Sequence, residues 1–146
     1  MILISHRGNT EGKIEKLENS PLYIVQAIEQ GFDVEIDIHY VDGQLWLGHD
    51  KPQYPITIEF LELYKDKLWI HCKNLEAVTY LKSANTNKRF NYFWHQKDEV
   101  TITSKEYIWA YPGINCKDSI AVLPEIFNDN INNRIGVCSD VINDFI

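Results

Sequence analysis

The chain is poor in positive charge, in thiols and in long apolar runs, and each shortage removes a class of function. Its 146 residues carry 14 Lys and Arg against 21 Asp and Glu, a formal net charge of −7. A protein that neutralises a nucleic-acid backbone needs clustered cations, and the sequence has no such cluster, so nucleic acid is not an expected partner. The same field disfavours stable association with an anionic membrane. The three cysteines, Cys72, Cys116 and Cys138, are odd in number and lack metal-site spacing. They read as reduced thiols in a cytoplasmic protein, with Cys72 buried on the outward face of its strand. No apolar stretch approaches the roughly 20 residues of a membrane helix. The opening run is interrupted by Ser5 and His6, too early for a signal peptide. With no internal repeat, low-complexity tract or linker, residues 1–146 are expected to form one domain.

What the chain does have is concentrated in its first third: His6-Arg7-Gly8, Glu18-Asn19-Ser20, Glu35-Ile36-Asp37 and His49-Asp50. These segments hold two proton-transfer candidates, one fixed cation and two hard anionic ligands. That inventory suits metal-assisted attack on a phosphodiester, where charge is neutralised and a proton moves on each side of phosphorus.

The local patterns place these groups. Met1 to Ser5 is a short apolar strand running directly into His6. Gly8 permits a sharp turn, and Arg7 offers a planar donor fork suited to phosphate oxygens. From Asp33 the residues alternate with period two, so Val34, Ile36 and Ile38 share one face and Glu35, Asp37 and His39 the other. An ordinary surface strand would show the same alternation. Asp42-Gly43 then signals a turn, and Gln44 to Gly48 reads as a returning strand that brings His49 back to the level of the carboxylates.

In this order the motifs resemble the glycerophosphodiester phosphodiesterases, within the broader group of phosphatidylinositol-phosphodiesterase-like barrels. The likeness rests on His6-Arg7-Gly8, Glu18-Asn19-Ser20, Glu35-Ile36-Asp37, Asp42-Gly43 and His49-Asp50; it is close over the first third and loose beyond. It implies His6 and His49 as general acid and base, Glu35 and Asp37 as metal ligands, Arg7 as a phosphate holder and Glu18 as a supporting group. Where the family places a third carboxylate in Glu-x-Lys, this chain has His71-Cys72-Lys73, so His71 becomes the third metal ligand and Lys73 a second phosphate contact. An imidazole there makes the site less negative and moves preference away from calcium, toward magnesium with more water or toward manganese or zinc. Magnesium or manganese is the expected cofactor, with calcium and zinc as alternatives. His71 could instead only hydrogen-bond inside the barrel, and Asp98 or Glu99 could supply the missing carboxylate.

The family fold is an eight-stranded (β/α) TIM-type barrel of about 250 residues, and this chain is far shorter. Strands are nevertheless frequent. Ile56 to Asp66 has helical spacing, Leu68 to Cys72 is a strand, and Asn74 caps a helix through Leu81 that ends in Asn85-Thr86-Asn87. Beyond residue 88, Phe90 to His95, Val100 to Thr103, Tyr107 to Tyr111, Ser119 to Leu123 and Ile135 to Cys138 are β-rich, and the first three lie too close together for helices of normal length between them. The expectation is a reduced α/β barrel with helices shortened or missing in its second half; a partly open barrel with fewer strands is the other arrangement. Uncovered strand faces would favour a homo-oligomer. By the resemblance, Trp94, Tyr107, Trp109 and Tyr111 line the pocket mouth, with His95 and Thr101 to Ser104 as polar candidates nearby, and Gly136 to Asp140 matches the family's closing strand. The expected activity is hydrolysis of a small phosphodiester. A weak or silent barrel that binds a phosphorylated ligand or partner protein, and a metal-independent phosphodiesterase, are the competing readings.

Overall fold

The structure, a computed structural model, describes residues 1–84 and 89–146. Ten strands form one mixed sheet: β1 (Ile2–His6), β2 (Asp33–Val41), β3 (Gln44–Leu47), β4 (Tyr54–Ile56), β5 (Leu68–Cys72), β6 (Tyr92–Trp94), β7 (Val100–Ile102), β8 (Ile108–Ala110), β9 (Ser119–Val122) and β10 (Gly136–Ser139). The helices are short: α1 (Pro21–Glu29), α2 (Ile58–Leu63), α3 (Leu75–Ala84) and α4 (Pro124–Phe127), followed by a 3₁₀ turn at Ile142–Phe145.

The sheet runs β4-β3-β2-β1-β10-β9-β8-β7, with β5 on the second edge of β2 and β6 beyond it. It is a curled half-barrel, which corrects the TIM-type barrel expected from the resemblance. Two observations overturn that expectation. The β2–β3–β4 meander and the β7–β8 hairpin are antiparallel. Residues 95–99, 103–107 and 111–118, which join the late strands, carry no helix; a helical crossover needs about a dozen residues or more. The β6 end of the sheet meets the β7–β8 hairpin through single bonds rather than a ladder. Ser104 N–H donates to Tyr92 O (2.8 Å), Thr101 Oγ1 to Trp94 O (3.0 Å) and Ser104 Oγ to Phe90 O (3.0 Å).

Because the sheet curls, both of its faces are buried. Val34, Ile36, Ile38, Leu68, Ile70 and Cys72 point outward and pack beneath Ile24, Ala27, Leu61, Ala77 and Leu81 of the first three helices. Those helices are placed by local signals. Ser20 caps α1 by accepting from Tyr23 N–H with Pro21 behind it, Thr57 caps α2, and Asn74 Oδ1 accepts from Ala77 N–H at the head of α3. The Asn85-Thr86-Asn87 end expected for that helix lies outside the described residues. Inside the curl, Ile4, Trp69, Phe93, Trp109, Ile120, Val122 and Cys138 form a second, aromatic-rich core. The strand faces expected to lie open are closed at β9 and β10, whose residues are all buried. Among the described residues of the second half's strands and helices, large exposed apolar side chains are confined to Val100 and Ile102 on β7 and to Ile126 and Phe127 on α4.

Candidate active site

The chemistry-bearing residues meet at the C-terminal ends of the parallel strands, where ligand sites of α/β sheets commonly lie. His6 ends β1 level with Glu35 of β2, and Asp37 is level with His71 of β5. Ser139 is level with Ser5, so the next residue, Asp140, arrives beside His6. Strand β2 changes neighbours along one edge, from β1 at Glu35 to β3 at Ile38. In that gap Asn19 fills the ladder: its Oδ1 accepts from Asp37 N–H (2.9 Å) and its Nδ2 donates to Asp37 Oδ2 (2.8 Å).

The turn after β1 is tightly set. Arg7 takes a left-handed φ of 58° and Gly8 one of 96°. A Cβ on Gly8 would meet the Tyr23 ring at 2.5 Å, so only glycine fits. Arg7 N–H donates to Glu35 O and Asn19 N–H to Arg7 O, which fastens the turn and the Glu18-Asn19-Ser20 motif to the strand.

Two imidazoles flank the buried carboxylate pair. His6 Nδ1–H donates to Asp140 Oδ1 (2.7 Å), turning Nε2 toward Glu35 Oε2 at 3.7 Å. His49 Nδ1 stands 3.6 Å from Asp37 Oδ1 and accepts from Arg7 Nη2 at 2.8 Å. His6 is buried, whereas the side chain of His49 is 39% exposed and opens onto solvent. Burial alone would lower the pKa of His6, but the bond to Asp140 and the charge of Glu35 outweigh it and raise it. Burial would raise the pKa of Asp37; the nearby His49, the charges of Arg7 and His71 and the Asn19 amide together hold it well below the usual carboxylate range. Asp140 is likewise depressed, burial being outweighed by its bond to His6.

The remaining expected groups fall into three sets. Arg7 is enclosed by acids, 3.5 Å from Glu18 and 3.1 Å from Asp37, the latter an ion pair without hydrogen-bond alignment at Nε. Its Nη2, now on His49, is the donor it could offer a phosphate. Glu18 accepts from Asn9 Nδ2 (2.7 Å) and lies 3.5 Å from Arg7. Lys73 lines the site's cavity and makes no ion pair among the described residues. His71 Nδ1 faces Asp37 Oδ1 at 3.6 Å and Glu35 Oε1 at 3.8 Å.

Other candidates serve structure. His39 shares the face of Glu35 and Asp37, but its Nε2 donates to Gly48 O (3.0 Å) and holds the end of β3. Asp98 and Glu99 are exposed, and neither joins the carboxylates; Asp98 O instead accepts from His95 Nε2. Thr101 and Ser104 tie the sheet's ends, and Thr103 Oγ1 accepts from Tyr107 N–H. Of the four aromatics, Trp109 and Tyr111 line the cavity, Tyr107 packs on Trp69 in the inner core, and Trp94 lies against the outer core. Asn9 and Asp140 are the partners that residue patterns did not single out for a role. Asn9 is fully buried and links Glu18 to Asp140 by bonds of 2.7 and 2.8 Å. The Ser139-Asp140 ending of the last strand was the available signal for Asp140.

Two cavities share His6, Arg7, His49 and Leu123. One, of about 320 Å³, is walled by His71, Lys73, Trp109 and Tyr111; the other, of about 580 Å³, by Lys13, Glu18, Lys51 and Gln53. The carboxylates fit a divalent cation. Asp37 Oδ1 and Glu35 Oε2 are buried without a hydrogen-bond partner. Four acids (Glu18, Glu35, Asp37, Asp140) gather around His6 and Arg7, and Arg7 is the one permanent cation paired with any of them among the described residues. Buried carboxylates in that excess are costly unless a positive charge offsets them. No helix among the described residues is long and apolar enough to cross a membrane. No family model, curated protein or solved structure matches the chain.

Proposed function

We propose that the chain is a metal-dependent phosphodiester hydrolase acting on a small diester, with His6 and His49 as the proton-transfer pair. The observation that carries this reading is the flanking of one buried carboxylate pair by two imidazoles in unlike surroundings: His6 oriented by Asp140, and His49 at the solvent edge. The resemblance to glycerophosphodiester phosphodiesterases points the same way. A divalent ion held by Glu35 and Asp37, magnesium or manganese, would neutralise a nonbridging phosphate oxygen and acidify a neighbouring hydroxyl or water.

The chain's own groups do the rest. One imidazole accepts the proton of the attacking oxygen, and the other donates a proton to the departing oxygen as the P–O bond breaks. Where the substrate carries a hydroxyl next to the phosphate, that hydroxyl is the nucleophile and a cyclic phosphodiester forms, which water then opens with the two roles exchanged. Asp140 keeps the His6 proton on Nδ1 and leaves Nε2 for the reaction. Arg7 and Lys73 supply positive charge, and the two cavities hold the two arms of a diester.

The test is hydrolysis of bis(4-nitrophenyl) phosphate and of glycerophosphodiesters, followed by absorbance and ³¹P NMR, with manganese or magnesium supplied and again after chelation. Monoester release that depends on the metal is expected. Turnover that survives chelation would favour a histidine-only enzyme, and no turnover of any diester would leave a binder of phosphorylated ligands.

A further inference from the structure

The turn that follows β1 ends in a residue to which the reaction above assigns no part. Asn9 N–H donates to His6 O (3.0 Å) across a turn whose two central residues, Arg7 and Gly8, both have positive φ, so the chain reverses and Asn9 returns beside His6. Asn9 is fully buried and lines neither of the two cavities.

Its side chain is used completely. A carboxamide offers two N–H donors and an oxygen with two lone pairs. Oδ1 accepts from Ile14 N–H and from the Tyr23 hydroxyl, each at 3.1 Å. A backbone N–H can only donate, so the Ile14 bond fixes which end of the amide is oxygen and turns Nδ2 the other way. There Nδ2 donates to Glu18 Oε2 (2.7 Å) and to Asp140 Oδ1 (2.8 Å). Tyr23 is itself held, because its ring lies so close to Gly8 that a Cβ there would meet it at 2.5 Å. Glu18 and Asp140 bring oxygens within 4.8 Å of each other. Two acids that close tend to keep a proton on one of them, and an acid that keeps one is no longer a pure acceptor. A nitrogen that can only donate is suited to two anions. Asp140 Oδ1 thus receives two donors, Asn9 Nδ2 and His6 Nδ1, the latter at 2.7 Å.

We propose that Asn9 is a positioning residue for proton transfer at His6: oriented by Ile14 and Tyr23, its amide holds Asp140 as an acceptor beside Glu18, and Asp140 keeps the His6 proton on Nδ1. The inference rests on the role given to His6 above. Without the amide, Asp140 meets the charge of Glu18 with His6 as its one remaining side-chain donor, and it turns away or takes up a proton. Either change lets the imidazole proton move to Nε2, and the Nε2 lone pair that the accepting half of the reaction needs is lost.

Asn9→Ala removes both donors. Tyr23→Phe removes one of the two bonds that orient the amide and keeps the ring against Gly8. Long-range ¹H–¹⁵N NMR at a pH where the imidazoles are neutral reads the His6 tautomer apart from turnover. The wild type is expected to hold the His6 proton on Nδ1, and Asn9→Ala to show a mixture with the Nε2–H form. With glycerophosphodiesters as substrates, that variant should lose about 10–10²-fold in kcat, less than removal of an imidazole costs, with KM nearly unchanged. Tyr23→Phe should move both readouts in the same direction by less. A folded Asn9→Ala whose His6 tautomer matches the wild type, or a loss carried by KM instead of kcat, would overturn the inference and leave the two-histidine reaction standing. Should Asn9→Ala not fold, an unchanged tautomer in Tyr23→Phe overturns it. A wild type that turns over no diester would overturn the reaction and the positioning role together.

Discussion

Up to Ala84 the outer face of the sheet is braced by α1, α2 and α3, whereas from Phe90 onward the one α-helix among the described residues is the four-residue α4. The division of labour follows this difference. The braced half supplies His6, Arg7, Glu18, Glu35, Asp37, His49 and His71, while the lean half supplies Asp140, the His95 carbonyl and the cavity wall of Trp109 and Tyr111. Reacting groups need placement within a few tenths of an ångström, and a strand packed on both faces delivers that. Orienting groups and walls need less support, and short strands joined by tight loops suffice for them. A sheet of this kind can carry few helices on one side and still bring these side chains together.

The comparison can be broken most sharply at His49. Because its side chain is half in solvent, His49→Ala should leave the melting temperature nearly unchanged while reducing turnover by roughly 10²–10⁴-fold; a variant that keeps most of its activity would remove the two-histidine mechanism. Asp140→Asn tests the lean half's contribution and should cost less than losing either histidine. It removes the bond that helps to raise His6, so the limb of the pH–rate profile governed by His6 should move to lower pH. The pair also stabilises the fold with a defined sign. The raised His6 contributes fully below its unfolded value and loses that contribution as pH rises through its folded one. The depressed Asp140 contributes above its unfolded value and loses that as pH falls. Melts of wild type minus Asp140→Asn should therefore differ most between about pH 3.9 and 6.5, and a pH-independent difference would contradict the pairing.

Stability should divide along the same line. Leu61→Ala on the buried face of α2 removes a fully buried side chain and should cost about 2–5 kcal/mol by denaturant titration. Ile102→Ala on exposed β7 should stay within about 0.5 kcal/mol; a loss equal to that of Leu61→Ala would contradict the exposure of β7. The smallest effect is chemical. Burial pushes the Cys72 thiol up to about 12 and Cys138 well above its ordinary value, so alkylation of the folded protein near pH 8 should label Cys116 alone.

Much of this was readable from residues. The alternation in β2, the Asp42-Gly43 turn and the Asn74 cap set elements that the structure reproduces within a few residues, because each depends on local geometry. The meeting of His6, Glu35, Asp37 and His49 was expected from the ordered motifs, and that of His71 from the resemblance alone. The architecture was less legible. A likeness confined to the first third carried the expectation of a barrel into late segments, where the loops are too short for crossover helices and β7 pairs antiparallel instead. Ile56 opens the stretch to Asp66 that reads as helical, yet its pairing with Leu45 makes it the end of strand β4. Asn9 and Asp140 stand 131 residues apart and bond through a register that only the β1–β10 pairing creates. His39 has the alternation of a site residue and a structural job, since period-two patterning gives the face of a strand but not the partner of a side chain.

The central claim is that the buried Glu35–Asp37 pair holds a divalent metal between two imidazoles. Calorimetric titration of manganese into the wild type and into Glu35→Gln tests it most directly. One site in the wild type that is lost in the variant, with the variant still folded, is the predicted result. A wild type that takes up no manganese, or a Glu35→Gln variant that binds it with unchanged affinity, would contradict the account.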